Sequence, residues 1–131
     1  MPTPTVANYQ HVSYLWNQAE ADKLAGDEVA LLLYRSNLLG ADLRLTNYGG
    51  GNTSVKTSET DPLTGLPTQV MWVKGSGGDL GTLKRNGLAA LYMDRLHALK
   101  KRYRGVQFED EMVGLFNHCI FDLDSKAPSI D

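Results

Sequence analysis

Apolar residues recur at helical spacing in EVALLLYRSNLLGA, residues 28 to 41. Val29, Leu32, Leu33, Ser36 and the Leu38–Leu39 pair fall on one broad face, Asp27 stands at the N-cap position, and Gly40 reads as the residue that ends the helix. Ahead of it, Leu15, Trp16, Ala19 and Leu24 pattern a short helix between Ser13 and Ala25, with Ser13 as its N-cap. The periodicity then changes. NTSVKTSE and QVMWVK are β-prone runs, and the turn-rich insert DPLTGLP between them predicts a hairpin. GLAALYMD, residues 87 to 94, fits a third strand or the start of a helix, because short apolar runs do not separate the two. LHALKKRYR, residues 96 to 104, reads as a basic, solvated surface. EDEMVGLFNHCIFDL, residues 109 to 123, places its acids first and its apolar residues after, as a helix complementing its own dipole would. Residues 1 to 12 read as a loose lead-in, and KAPSID closes the sequence with no capping element.

Composition narrows the class. A chain of 131 residues with 42% hydrophobic content fits one domain with a modest core. With 13 Lys and Arg against 15 Asp and Glu, the formal net charge of -2 gives no global case for nucleic acid or for an acidic lipid surface. No apolar stretch approaches the roughly 20 residues that cross a bilayer. The single cysteine, Cys119, has no internal disulfide partner, and no leader pattern opens the chain, so a cytoplasmic setting is expected.

The chemistry concentrates in two glycine-rich stretches. NYGGGNTSVKT, residues 47 to 57, precedes the first strand of the hairpin, and GSGGDLGTL, residues 75 to 83, follows the second. A hairpin therefore carries both loops at one end. Glycine admits positive φ and lets a ligand approach the main chain, so successive N–H groups can converge on an anion, with phosphate the usual guest. Asn52, Thr53 and Ser54 from the first loop and Ser76 from the second would add hydrogen bonds, and Lys74 or Lys56 a point charge. The bland alternative is a tight hairpin entry in which the glycines only permit the turn. A dinucleotide fingerprint in GSGGDLG, with Asp94 as the ribose acid, fails on length: TLKRNG is too short for a parallel crossover, which needs about a dozen residues.

Read together, TNYGGGNTSVK, VMWVKGSGGDLGTL and LAALYMDRL resemble the N-terminal part of the class II aldolase and adducin family, most closely the aldolase portion of bifunctional rhamnulose-1-phosphate aldolase/alcohol dehydrogenases. The resemblance runs from about Leu31 onward, with both glycine motifs in family order. It implies an α/β fold of the α+β type, a central, largely antiparallel sheet with flanking helices, of which this chain would be an incomplete, N-terminal fragment. It implies substrate phosphate-binding by Gly51 and Asn52 from the first motif and by Ser76 and Gly77 from the second. Pro128, Ser129, Ile130 and Asp131 look like the start of the third motif, which makes Asp131 the catalytic acid or base.

The family also implies a divalent metal, commonly zinc, a phosphorylated ketose or dihydroxyacetone phosphate as ligand, and assembly as a homo-tetramer. The family's metal ligands are a His-x-His pair and a further histidine after the acid. This chain has only His11, His97 and His118, all before Asp131, so no metal is expected to be held by it and it is expected to be inactive alone. A non-catalytic, adducin-like interaction module and, less favoured, a nucleotide-binding half-domain are the alternatives.

Overall fold

A computed structural model describes residues 14 to 122. Two helices come first. Asn17 caps α1, Gln18–Asp22, by accepting the Glu20 N–H at 3.2 Å, so the first helix is shorter than its apolar pattern suggested; Ser13, the expected cap, lies outside the described residues. Asp27 caps α2, Glu28–Ala41, as expected, accepting the Ala30 N–H at 3.0 Å. The Trp16 and Tyr34 rings meet edge to face at 5.1 Å, and the Tyr34 hydroxyl accepts the Asn17 N–H at 3.0 Å, which holds the short helix against the long one.

Three strands follow: β1, Ser54–Thr60; β2, Pro67–Lys74; and β3, Leu88–Tyr92. They form an antiparallel sheet in the order β1-β2-β3, with Ser54 opposite Val73 and Lys74 opposite Leu88. The expected hairpin is present. The ambiguous run at 87 to 94 divides: Leu88–Tyr92 is strand, and α3, Met93–Leu99, starts immediately after it. Two 3-10 turns, Leu80–Thr82 and Arg85–Gly87, join β2 to β3. Because that connection is short and the strands run antiparallel, a nucleotide-binding half-domain with a helix after Gly81 is excluded.

β2 is central and buries side chains on both faces, as the middle strand of a covered sheet must. Val70, Trp72, Leu88 and Ala90 pack with Val29 and Leu32 of α2, and Leu80 and Leu83 complete this layer. On the opposite face Val73, Ala89 and Leu91 pack with Cys119, and Leu96 and Leu99 of α3 lie against them. Helices on both sides of an antiparallel sheet make the expected α+β arrangement.

The acid-led segment at 109 to 123 is not one helix. Only α4, Glu111–Leu115, is α-helical; a 3-10 turn, Phe116–Cys119, follows, and Ile120 then bridges Leu91 of β3. The backbone leaves the helix to pair with the sheet, because the Phe121 N–H donates to the Ala90 carbonyl at 2.8 Å. No helix of the described residues is long and apolar enough to cross a membrane.

Candidate functional site

Both glycine loops lie at the end of the sheet where β1 begins and β2 ends. The Lys74 N–H donates to the Thr53 carbonyl at 3.2 Å, so Asn52 and Gly75 are the next residues out from the last rung of that ladder. Gly51 and Asn52 thus share an edge with Ser76 and Gly77. The loops also touch directly: the Gly49 N–H donates to the Asp79 carboxylate.

The second loop is fastened to α2. Asn37 donates through its amide nitrogen to the Leu80 and Leu83 carbonyls, at 2.9 and 3.1 Å. Below it, the backbone of Gly81 passes so close to Gly40 that a Cβ at position 40 would overlap the Gly81 nitrogen. This overturns the reading of Gly40 as a helix terminator. The helix continues to Ala41, and glycine is needed at 40 because a loop backbone lies across it. Gly51 is constrained twice: its φ is +85°, and a Cβ there would come within 2.6 Å of Leu80 Cδ1.

Hydrogen bonds sort the polar residues of the first loop. The buried Ser36 hydroxyl donates to the Leu32 carbonyl at 2.6 Å. Ser36 Oγ also lies 2.6 Å from Thr53 Oγ1, and since a hydroxyl has one proton, Thr53 is the donor there. The Thr53 proton is therefore committed to the core. Ser54 lies in β1 and its Oγ accepts from Lys56 Nζ at 3.2 Å. Within the triplet itself, Gly49 N–H goes to Asp79 and Gly50 N–H to the Asn47 carbonyl at 3.0 Å. A nest built from Gly49 and Gly50, with Thr53 as a helper, is thus corrected: those groups hold the loop in shape, whereas Ser54 accepts from Lys56 and keeps its own hydroxyl proton. The Asn52 side chain remains exposed.

In the second loop Gly77 has φ +87°, and the exposed Ser76 lies with Gly75, Gly78, Asp79, Thr82 and Lys84 around a cleft of about 150 Å³. Asn52 and Gly77 do not line that cleft, so the four residues share one end of the sheet without forming a single wall. Sequence reasoning missed Asn37 and Asp79. An asparagine on a helix face and an aspartate after GSGG carry no local signal of the loops they fasten.

Of the two lysines considered, Lys56 is exposed on β1, whereas Lys74 is 2% exposed and donates to the Gly75 carbonyl at 3.3 Å. His97 is exposed on α3, and His118 is exposed in the turn before Cys119. Among the described residues no three His, Cys, Asp or Glu converge as a metal site would require. Asp131 and His11 lie outside the described residues.

No protein-family model matches the chain. Over 120 residues it is 42% identical to "Uncharacterized oxidoreductase YuxG" of Bacillus subtilis (strain 168), a match covering 92% of this chain and 17% of that protein. The chain thus spans about one sixth of the curated relative's length. Among solved structures it is similar to the N-terminal class II aldolase domain of a conserved protein from Thermoplasma acidophilum. That match has a TM-score of 0.70 and 28% identity, and it covers 94% of this chain and 52% of that one. The fold is that of a class II aldolase domain over the part the two share.

Proposed function

We propose that this chain, folded as the N-terminal part of a class II aldolase domain, supplies the phosphate grip of a sugar-phosphate aldolase of the rhamnulose-1-phosphate type. One observation carries the reading. Two glycine loops, Gly49 to Asn52 and Gly75 to Asp79, are brought to one end of an antiparallel sheet and tied together there by the Gly49 N–H to Asp79 contact. A hairpin entry that needed glycine only for turning has no requirement for that tie or for the Asn37 fastening. The similarity to a class II aldolase domain supports the reaction class, and a far longer relative described as an oxidoreductase supports a bifunctional parent.

In this reading Asn52 and Ser76 donate to the phosphoryl oxygens while the backbone at Gly51 and Gly77 lets them approach. Holding the phosphate fixes the rest of a ketose phosphate for reaction elsewhere, so binding energy serves orientation. The metal, the acid or base at Asp131 and the oligomer belong to the proposal for the whole enzyme. The described residues contribute binding and orientation only, and retro-aldol turnover by the purified 131-residue chain would contradict this division.

The test is calorimetric titration of the chain with dihydroxyacetone phosphate and with inorganic phosphate, alongside Asn52→Ala and Ser76→Ala. Saturable binding that weakens at least about tenfold in both variants is expected, as loss of a charge-assisted hydrogen bond implies. Binding that both variants retain would remove the anion site.

A further inference from the structure

Lys74 ends β2 on the face that packs against α2, in alternation with Val70 and Trp72 and opposite Leu88. Its side chain is almost wholly buried, yet no ion pair of the described residues includes it. An ammonium has three protons to donate. One goes to the Gly75 carbonyl at 3.3 Å, a neutral acceptor at long range, and the other two have no acceptor among the described residues. Removing such a charge from water costs several kcal/mol unless an opposite charge compensates.

The acceptor of that single bond identifies where compensation would come from. Gly75 lines the cleft that also holds Ser76, so the ammonium is bonded to a residue of the cleft wall without itself lining the cleft. Asp79, on the same cleft, is engaged by the Gly49 N–H and adds a negative charge that by itself would oppose an anion. The remaining lysines are placed less well. Lys84 lines the cleft but is exposed, so water screens it, and Lys56 is exposed and bonded to Ser54.

We propose that Lys74 is the fixed positive charge of the anion site: it offsets Asp79 and, through its place against Gly75, compensates a phosphoryl group held by the Gly75 to Gly78 loop. The inference rests on the anion-site reading and adds the residue that gives the site its charge. It also explains why a lysine stands where the core pattern of β2 calls for an apolar side chain.

The experiment titrates inorganic phosphate into the wild-type chain, Lys74→Met and, as a control at an exposed lysine outside the cleft, Lys101→Met, with folding of each checked by circular dichroism. Methionine keeps the apolar stem and removes the charge. Phosphate affinity is expected to fall at least about tenfold in Lys74→Met and to stay within about threefold in Lys101→Met. In wild-type protein labelled with ¹³C at lysine Cε, phosphate is expected to shift the Lys74 resonance, a readout that does not depend on any variant folding. Phosphate binding unchanged in Lys74→Met, equal losses in the two variants, or a Lys74 resonance that stays fixed as phosphate saturates would overturn the role of Lys74 alone. Absence of saturable phosphate binding by the wild-type chain would overturn the anion site and this role with it.

Discussion

The backbone N–H of Gly49 donates to the carboxylate of Asp79, a residue 30 positions away, and so joins the loop before β1 to the loop after β2. Neither residue belongs to a strand, and the sheet alone would leave both loops hanging from its end. Removing the acceptor in Asp79→Ala is expected to lower stability by about 0.5–1.5 kcal/mol. Asp79→Asn, which keeps an acceptor oxygen, is expected to hold the loops with a smaller loss. Urea unfolding of the pair checks this; equal stability of the Ala and Asn variants would contradict a hydrogen-bonded tie.

Gly40→Ala provides a test by sign. In an ordinary helix interior this change stabilises by about 1 kcal/mol. Here the new methyl group would meet the Gly81 backbone, and a stability loss of about 1–3 kcal/mol or more is expected. Denaturant midpoints decide between the two signs.

Thr53→Val separates shape from binding. It removes the proton that Thr53 gives to Ser36 and is expected to cost about 1 kcal/mol in stability, with phosphate affinity unchanged. Paired measurement of thermal stability and phosphate affinity tests it, and a tenfold affinity loss in a stable Thr53→Val protein would return Thr53 to the binding set.

Arg104 holds α4 by a two-pronged contact, with Nε and Nη2 donating to the Glu111 carboxylate at 2.8 and 2.7 Å. Hydrogen bonding from Arg104 lowers the Glu111 pKa below the ordinary carboxylate value. The folded state therefore gains stability that is present above the unfolded pKa and lost as pH falls through the lowered folded one. The melting temperature of wild type minus that of Glu111→Gln is expected to be small and positive at pH 7 and to close toward acid; a gap that widens in acid would contradict it.

Burial pushes the Cys119 thiol up from its ordinary value, against a smaller opposing effect of Arg95. Since the thiolate is the reactive form, Cys119 is expected to react with a disulfide reagent at pH 8 far more slowly in native protein than in urea. Comparable rates in the two conditions would show that the packing between Cys119 and Leu91 opens readily.

Much of this architecture was legible from local chemistry. Asp27 and the spacing of Val29 and Leu32 mark α2, and the turn at 61 to 66 between two β-prone runs marks the hairpin, because caps and periodicity act over a few residues. The glycine motifs were legible as a pair for the same reason. What escaped depends on contacts between distant segments. Gly40 looks like a terminator until Gly81 lies across it, and Thr53 looks like a ligand group until Ser36 takes its proton. The acid-led stretch at 109 to 123 has a helical pattern, but pairing of Ile120 with Leu91 draws the backbone out of the helix after a few residues.

The β1-β2-β3 order has a kinetic meaning. Each strand pairs with its neighbour in the chain, so the sheet closes over short loops at little entropic expense. The bond from Asn37 to Leu80 spans 43 residues, so fastening α2 to the second loop closes a longer stretch of chain than any strand pairing does. The strand pairings are therefore expected to form ahead of the fastening that shapes the second glycine loop.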